Sequence, residues 1–252
     1  MENDNIENVV ELFKKANNIL VFTGAGVSTN SGIPDYRSEN GLYNKIKQNY
    51  KDIANPEDMF DISYFRKDPK LFYQVYKNMI NLDVKPSITH KFIAYLEEIG
   101  KINLVVTQNI DMLHQKAGTK KLLECHGSYE HAHCMNCKKY FTFEGEFEKH
   151  LKEGIVFKCE CGGVVKPDIV FFGENLPNIF YEKYNNPPKI DLLLVMGTSL
   201  SVMPSSYFAL NFTRTTNSIL VNLSETGYEK YFKYSFLKDV DEFSKYLWDK
   251  IK

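Results

Sequence analysis

Residues 19–28 read ILVFTGAGVS, an apolar run that leads into a turn of small residues. Four consecutive apolar side chains, Ile19 to Phe22, are typical of a strand that is buried on both faces of a parallel sheet. Gly24 and Gly26 then permit a tight turn in which the backbone can approach a pyrophosphate. We expect this turn to open a helix whose first N–H groups face that anion.

The same turn is also compatible with a strand-to-helix connection that binds nothing. The third glycine of the common dinucleotide fingerprint would fall at Thr29, and no Asp or Glu occupies the usual ribose position about 20 residues further on. These departures disfavour a redox enzyme of the Rossmann type.

Further apolar runs repeat this strand pattern at 102–107, 191–197 and 218–223, and each ends in small or polar residues. Helical periodicity predicts a helix over 6–17, a closing helix over 236–252 and an aromatic-rich helical insert over roughly 42–99. The alternation predicts an α/β fold with a Rossmann-like parallel sheet. Because open α/β sheets bind ligands beyond the carboxyl ends of their strands, we expect the functional groups there.

Composition narrows the possible functions. The 252 residues are 43% hydrophobic, which is enough for one substantial core and a small module, and the formal net charge of −1 provides no global basic field for nucleic acid. The first fifteen residues lack the features of a signal peptide, and no apolar run approaches the roughly 20 residues that cross a bilayer. We expect a cytoplasmic protein with no nucleic-acid or membrane partner.

Four of the five cysteines predict a metal site. Cys134 and Cys137 form a C-x2-C knuckle, and Cys159 and Cys161 form a C-x-C pair after 21 intervening residues. Four thiolates suit a closed, tetrahedral, structural Zn²⁺ site. Four buried free thiols are the alternative, although so small a module has little core with which to fold alone.

Several neighbouring residues admit more than one interpretation. The single residue between Cys159 and Cys161 forces an unusual turn, which Gly162-Gly163 can relieve. His131 and His133 flank the knuckle and are alternative ligands. The fifth cysteine, Cys125, is interpreted as a buried packing residue, and the remaining histidines, His90, His114 and His150, as ordinary core or surface residues.

Five blocks of sequence, in order, resemble the sirtuin family, in particular its bacterial-type members. The resemblance covers residues 19–223, and these blocks carry it: GAGVS at 24–28 with GIPDYR at 32–37, TQNID at 107–111, HGS at 126–128, FGE at 172–174, and GTSL at 197–200.

The resemblance implies an NAD-dependent protein-lysine deacylase, in which nicotinamide is released and the acyl group passes to the ribose as 2′-O-acyl-ADP-ribose. A mono-ADP-ribosyltransferase on the same scaffold is the main alternative, and a catalytically idle NAD- or peptide-binding module is a third. The implied domains are a Rossmann-like NAD-binding domain (1–35, 100–127 and 176–252), a helical insert (36–99) and a zinc-binding module (128–175).

The resemblance also implies the roles of particular residues. His126 is the expected catalytic base for a ribose hydroxyl, because a neutral imidazole can accept a proton near neutral pH, and Gln108 and Asn109 orient the ribose. Asp111 accepts from the nicotinamide carboxamide, and Arg37 faces the phosphates. The complete set implied to bind NAD is Gly24, Ala25, Gly26, Thr29, Ile33, Asp35, Tyr36, Arg37, Gln108, Asn109, Ile110, Asp111, Gly197, Thr198, Ser199, Asn222, Asp239 and Val240.

Some of these positions have simpler interpretations as well. Gln108-Asn109 is also compatible with a helix cap, Thr198-Ser199 with an ordinary turn, and Asn222 with a structural role. Tyr36 stands where many members have Phe, which adds a hydroxyl to the nicotinamide wall.

For the acylated peptide, Val170, Phe172 and Val202 are implied to line an apolar tunnel, and Gly173-Glu174 to pair with the peptide backbone. No arginine follows shortly after Arg37, unlike in members that remove acidic acyl groups. An acetyl or longer neutral acyl group is therefore the expected substrate.

Overall fold

The computed structural model describes residues 2–50, 53, 55–80 and 84–252. The α-helices are α1 (Glu2–Lys15), α2 (Leu42–Asn49), α3 (Ile62–Lys67), α4 (Lys70–Ile80), α5 (Ile88–Glu98), α6 (Leu113–Ala117), α7 (Glu146–Glu153), α8 (Asn178–Asn185), α9 (Ser205–Leu210) and α10 (Val240–Ile251). The strands are β1 (Ile19–Thr23), β2 (Ile102–Thr107), β3 (Leu122–Glu124), β4 (Gly127–Cys134), β5 (Tyr140–Thr142), β6 (Val165–Ile169), β7 (Leu192–Met196), β8 (Asn217–Asn222) and β9 (Tyr234–Leu237).

The chain forms two compact units. Unit 1 comprises residues 1–31, 85–125 and 178–252, and unit 2 comprises residues 32–84 and 126–177. Helix α5 thus belongs to unit 1. The domain boundaries drawn from the sequence stay a prediction.

Unit 1 contains a six-stranded parallel sheet in the order β3-β2-β1-β7-β8-β9. The parallel sheet and the four predicted strands, β1, β2, β7 and β8, are confirmed. Every residue of β1 and β7 is buried, as expected for central strands covered on both faces. The strand order reverses between β1 and β7, and this is the switch point where open α/β sheets bind ligands.

Helices α1, α5 and α10 contribute the apolar residues that complete the core against the sheet, among them Phe13, Phe92 and Phe243. Side-chain caps explain where helices α5 and α10 begin. Ser87 caps α5 in a capping box with His90, and Asp239 caps α10 by accepting from the N–H groups of residues 241 and 242.

The turn after β1 differs from the expected start of a longer helix. It opens two single-turn 3-10 helices, Ala25–Val27 and Thr29–Ser31. The next residues stop any continuation, because Gly32 has φ +92° and Pro34 follows. The predicted helix is therefore limited to two short 3-10 turns in this segment, and the contact of its N–H groups with an anion stays a prediction.

Unit 2 contains an antiparallel sheet in the order β5-β4-β6 together with helices α2, α3, α4 and α7. Four phenylalanine rings pack edge-on or tilted at centroid distances of 5.3–6.2 Å: Phe60, Phe65, Phe72 and Phe171. Tyr73 adds a hydrogen bond of 2.7 Å from its hydroxyl to the carbonyl of Val165 in β6. These contacts explain the aromatic richness of the predicted helical insert.

Within the described part of the chain, every helix is too short or too polar to cross a membrane.

Candidate active site and metal centre

The Gly-rich turn of unit 1 packs directly on the end of β7. A Cβ at Gly24 would lie 2.6 Å from Thr198 Cβ, and a Cβ at Gly26 would lie 2.7 Å from the Gly197 Cα. The Gly26 N–H donates to the Gly197 carbonyl at 2.8 Å. The two glycines are thus required by the close approach of the turn to β7, at the switch point of the sheet. This packing supplies a reason for both glycines that the sequence interpretation lacked.

Asn109 fixes this turn from the end of β2. Its side-chain amide donates to the Gly24 carbonyl at 3.0 Å and to Ser28 Oγ at 3.1 Å, and its own N–H donates to Thr107 Oγ1. Asn109 is only 6% exposed. A buried side-chain amide with two partners has a fixed orientation, so its carbonyl oxygen is held ready for a donor on a ligand.

Gln108 joins the ends of β2 and β7. It accepts from Thr198 Oγ1 at 2.7 Å and donates to Ser205 Oγ at 3.0 Å. Thr198 Oγ1 also accepts from the N–H of Leu200. The structure therefore brings the predicted residues Gln108, Asn109, Gly197 and Thr198 into one network with the glycine turn.

Asp111 supplies the one carboxylate of this network. Its Oδ2 accepts from Ser28 Oγ at 2.7 Å and its Oδ1 from the N–H of Leu113 at 2.9 Å. Each oxygen retains capacity for a second donor, such as a carboxamide NH₂. The neighbouring Ile110 is 8% exposed and adds an apolar surface.

Two buried histidines, His90 and His114, pack beside the network. From the sequence, both were interpreted as ordinary core or surface residues. His114 Nε2 lies 2.9 Å from Thr23 Oγ1, which donates to Thr107 Oγ1, and the His90 and His114 rings are 4.7 Å apart. Burial lowers the pKa of His90, against the opposing charges of Asp111 and Asp241. Burial, and then the nearby His90, hold the pKa of His114 well below 6.5.

The remaining predicted NAD residues of unit 1 are less closely connected to the network. Ser199 is exposed and bonded to Ser201, and Asn222 donates to the Ser224 carbonyl at 2.8 Å. Asp239 caps α10 and accepts from Asn30 Nδ2, while Val240 is buried in the core. Ala25 and Thr29 lie on the two 3-10 turns.

The block 33–37 lies in unit 2, at the approach to α2. Asp35 Oδ1 accepts from the N–H of Ser38 at 3.0 Å, and its carbonyl accepts from the N–H of Leu42. Tyr36 packs on Tyr43 at 5.6 Å, and Ile33 is half-buried. The guanidinium of Arg37 forms an exposed ion pair with Glu57 at 3.2 Å. A phosphate would have to compete with that carboxylate for Arg37.

His126 precedes β4 in unit 2 and is half-buried. Its carbonyl accepts from the N–H of Val170 at 2.8 Å, which ties the predicted base to the predicted substrate segment. Gly127 has φ +70°, and a Cβ there would lie 2.0 Å from the Asp168 carbonyl. Because only glycine fits this position, the backbone that follows His126 has one fixed conformation.

The predicted substrate residues of unit 2 form one short segment after β6. Phe172 is 42% exposed, and its backbone bonds to the carbonyl of Phe60 and the N–H of Ile62. Gly173 has φ +86°, which favours glycine. The carboxylate of Glu174 accepts from the N–H of Phe171 and pairs with Lys166 at 2.9 Å. Val202, the fifth predicted residue, is half-buried in unit 1.

The four predicted metal ligands converge in unit 2. The sulfur atoms of Cys134, Cys137, Cys159 and Cys161 all lie within 4.8 Å of one another, with pairs at 3.4 and 3.7 Å. Zinc–sulfur bonds of about 2.3 Å in a tetrahedron place sulfur atoms about 3.8 Å apart. The cluster therefore fits a structural Zn²⁺, and neither His131 nor His133 belongs to it.

The backbone around both cysteine pairs explains how a C-x-C pair can supply two metal ligands. The carbonyl of Cys159 accepts from the N–H of Gly162, which has φ +79°, and a Cβ at Gly163 would lie 2.6 Å from Cys134 Sγ. Burial tends to raise the pKa of the Cys134 thiol, but the N–H groups of Cys137 and Asn136, together with the neighbouring thiols of Cys161 and Cys137, lower it to about 6. Such donors favour the thiolate form that binds metal. By contrast, Cys125 is fully buried, as predicted, and burial raises the pKa of its thiol.

The polar atoms of unit 1 fit the neutral groups of a dinucleotide. Oriented amides, hydroxyl groups and one carboxylate surround the glycine turn, and Ser31 Oγ is buried without a hydrogen-bond partner among the described residues. Carboxamide and ribose hydroxyl groups are matching partners for such a set.

Comparisons with known proteins agree with this arrangement. Residues 24–204 match the model of the Sir2 family. The chain is 38% identical over 240 residues to an NAD-dependent protein deacetylase of Thermotoga maritima, with 94% of each chain covered, and 41% identical over 235 residues to one of Clostridium tetani, with 90% of each covered. It is 40% identical to rat sirtuin-1 over 225 residues, which is 86% of this chain and 40% of that protein.

Solved structures of Sir2 proteins also match this chain. A Sir2 enzyme superposes with a TM-score of 0.88 at 34% identity, covering 100% of this chain and 98% of that one. A Sir2 structure containing a peptide of p53 and NAD⁺ gives a TM-score of 0.83 at 35% identity, covering 97% and 98%.

The chain therefore belongs to the Sir2 family, as the resemblance implied, and its bacterial relatives match it over nearly their whole length. It spans less than half the length of the eukaryotic relatives, 30–46% in rat, mouse, human, Dictyostelium discoideum and Caenorhabditis elegans.

Proposed function

We propose that the protein removes acetyl or other neutral acyl groups from lysine side chains of proteins in an NAD-dependent reaction that yields nicotinamide and 2′-O-acyl-ADP-ribose. The network that joins Asn109, Asp111, Gln108 and Thr198 at the switch point of the sheet is the observation that carries this proposal. The names of the bacterial relatives, NAD-dependent protein deacetylases, support it.

Unit 1 holds the dinucleotide in this proposal. Asp111 accepts from the carboxamide of nicotinamide, Asn109 and Gln108 orient the adjacent ribose, and Gly197-Thr198 meet the second ribose. Bound NAD supplies the ribose that receives the acyl group. Residues 24–31 contribute backbone from a turn already fixed against β7, so little ordering is needed when NAD binds.

His126 acts as the general base. A neutral imidazole accepts the proton of a ribose hydroxyl as that oxygen becomes a nucleophile, and positioned bases of this kind contribute roughly 10²- to 10⁴-fold to a rate. The hydrogen bond between the His126 carbonyl and Val170 holds the base and the substrate segment in a fixed relation.

Acyl-lysine peptides bind at residues 170–174 and at Val202. Val170, Phe172 and Val202 contribute apolar surface for the acyl-lysine, and the backbone near Gly173 pairs with the peptide. Main-chain bonds carry no sequence preference, so a range of proteins can serve as substrates. Sir2 structures with acetylated and propionylated peptides support neutral acyl groups.

Cys134, Cys137, Cys159 and Cys161 would hold zinc in a structural role, because four thiolates would satisfy a tetrahedral ion. The thiolate cluster also supports a reducing compartment, and we propose the cytoplasm as the site of action.

The test is a product assay with NAD and an acetyl-lysine peptide, with peptide mass and nicotinamide followed together. We expect deacetylated peptide and O-acetyl-ADP-ribose from the wild type. His126→Ala should reduce turnover by at least roughly 10²-fold while NAD binding persists. His131→Ala, a histidine of the same unit, is the matched control and should retain turnover.

ADP-ribose attached to protein, without deacetylation, would instead identify a mono-ADP-ribosyltransferase. Loss of NAD binding in His126→Ala would contradict the role of His126 as base.

A further inference from the structure

Lys166, the second residue of β6, is a charged residue to which neither the sequence nor the proposed mechanism assigns a role. It is 9% exposed, and its ammonium group lies 4.2 Å from the centre of the Phe171 ring. Burying an ammonium group is costly unless each of its donors is satisfied. Burial lowers the pKa of Lys166, and the charge of Glu174 opposes that shift.

All three donors of Lys166 have partners. The ammonium lies 2.9 Å from Glu174 Oε2 and donates to the carbonyls of Ile169 at 2.7 Å and Pro167 at 3.1 Å. A lysine ammonium has three N–H bonds, so this set is complete. The carboxylate of Glu174 is also engaged elsewhere, because its Oε2 accepts from the N–H of Phe171 at 2.9 Å.

These partners span the segment 170–174. Ile169 is the last residue of β6, and Glu174 ends the segment, so one ammonium group ties both ends together. Between them, Val170 N–H binds the carbonyl of His126, and Phe172 binds the backbone of residues 60 and 62. The segment is thus held at its ends by charge and in its middle by backbone bonds.

Stability alone is a weak explanation for such a pair. Buried ion pairs are often replaced by apolar residues without loss of stability, whereas removing one partner is costly. What the pair provides is geometry, since it fixes five residues that have no regular secondary structure of their own.

We propose that Lys166 and Glu174 form a clamp that fixes the segment 170–174, and that Lys166 is thereby a positioning residue for the acylated peptide. This inference rests on the proposed function, because it assigns the segment to peptide binding. It also gives Glu174 a role within the protein, because its carboxylate binds Lys166 and the N–H of Phe171, and its own N–H donates to the carbonyl of Phe171.

The test compares Lys166→Met, which keeps the length of the side chain but removes its charge, with Lys166→Arg, which keeps the charge. We expect Lys166→Met to lower kcat/KM for acetyl-lysine peptide by roughly 10- to 100-fold, mainly through KM, because small displacements of positioning groups have effects of this size. The KM for NAD should change by less than about twofold, since residues of unit 1 supply most of its proposed contacts. Lys166→Arg should recover most of the peptide affinity.

Two further variants control this comparison. Glu174→Gln should reproduce the effect of Lys166→Met, and the double variant should add little to either, as expected for two groups that act as one unit. Lys152→Met removes an exposed ion pair with Glu148 in α7 of the same unit and should leave both KM values unchanged. Equal increases in both KM values for Lys166→Met would overturn the proposal, because they would indicate a general structural defect.

Hydrogen exchange measures the clamp independently of the enzymatic activity. In Lys166→Met, the amides of Val170 and Phe171 should exchange at least roughly tenfold faster, while those of β4 stay protected. This measurement needs no turnover, so it tests the clamp even if the wild type proves not to be a deacylase. Unchanged exchange would overturn the clamp, and faster exchange with an unchanged peptide KM would overturn the positioning role.

Discussion

The two units prepare their functional residues by different physical means. In unit 1 the ends of β1, β2 and β7 meet in a network of mostly neutral hydrogen bonds around Asn109, above a parallel sheet that is buried on both faces. In unit 2 a metal site and an ion pair hold the functional segments in place. The metal site consists of four thiols, and the ion pair joins Lys166 to Glu174.

The difference follows from the amount of core available. Unit 1 has a six-stranded sheet whose central strands are buried throughout, so apolar packing holds its fold and mostly neutral hydrogen bonds fix its ligand residues. The zinc-binding part of unit 2 has a sheet of only three strands, and a module of that size depends on additional bonds. Removal of the metal or of a charge should therefore impair the stability and ligand binding of unit 2. Removal of a single hydrogen bond should impair those of unit 1.

Removal of zinc should have the largest effect. Cys134→Ser replaces a buried ligand, and apparent binding free energies of structural zinc are of the order of 10 kcal/mol, so the module should lose its fold and activity should fall to background. Metal analysis and near-UV circular dichroism are the measurements. Cys125→Ala, a buried cysteine of unit 1, is the control and should keep one zinc per chain; equal zinc loss in both variants would contradict the assignment.

Loss of the Asn109 side chain should have the next largest effect. Asn109→Ala removes donors to Gly24 and Ser28, which should lower the free energy of unfolding by about 1–3 kcal/mol and raise the KM for NAD by roughly tenfold. Chemical denaturation and steady-state kinetics are the measurements. Asn186→Ala, an exposed asparagine of unit 1, should change neither quantity, and a similar response from both would remove Asn109 from the network.

Acid should act on unit 1 through its buried histidines. The pKa values of His90 and His114 are lowered by burial in the folded protein, so below about pH 6.5 the unfolded chain binds more protons than the folded one. The free energy of unfolding should therefore fall as pH decreases below that value, by at most about 1.4 kcal/mol per pH unit for each histidine. Urea titrations between pH 7.5 and 5 measure it.

A matched variant isolates this effect. His114→Gln should reduce the slope of stability against pH in that range, whereas His131→Ala, at a half-exposed site in unit 2, should leave it unchanged. A slope that is identical in all three proteins would exclude the buried pair as its source.

The exposed ion pair of Arg37 with Glu57 should matter least for stability. Arg37→Gln should change the free energy of unfolding by less than about 1 kcal/mol, as is usual for surface pairs. Its KM for NAD should nevertheless rise if the guanidinium faces the phosphates, and the increase should shrink at high salt. Arg66→Gln, in α3 of the same unit, is the control. An unchanged KM for Arg37→Gln would remove Arg37 from the NAD site.

The sequence predicted what depends on local pattern. The apolar runs of β1, β2, β7 and β8 identified the central strands, and the cysteine spacing identified the metal cluster. The edge strand β3 was missed because it is short and partly polar. The predicted closing helix over 236–252 was wrong at its start, because Phe236 and Leu237 belong to the edge strand β9 and α10 begins at Val240. Strand pairing supplies what the sequences of β3 and β9 do not.

Contacts between distant residues were beyond the reach of pattern. His90 and His114 are 24 positions apart and have no shared motif, yet their rings lie side by side. Lys166 looks like an ordinary surface charge in the sequence, and only the fold shows that it is buried and paired with Glu174. The close approach of the turn at 24–31 to the end of β7 could not be predicted, because the two segments lie about 170 positions apart in the sequence.

The most direct test of the account is the stoichiometry of the reaction. With NAD and a singly acetylated peptide, the account predicts one nicotinamide and one O-acetyl-ADP-ribose for every lysine deacetylated, with no deacetylation when NAD is omitted. Deacetylation that proceeds without NAD, or nicotinamide release that leaves the acetyl group on the peptide, would contradict it.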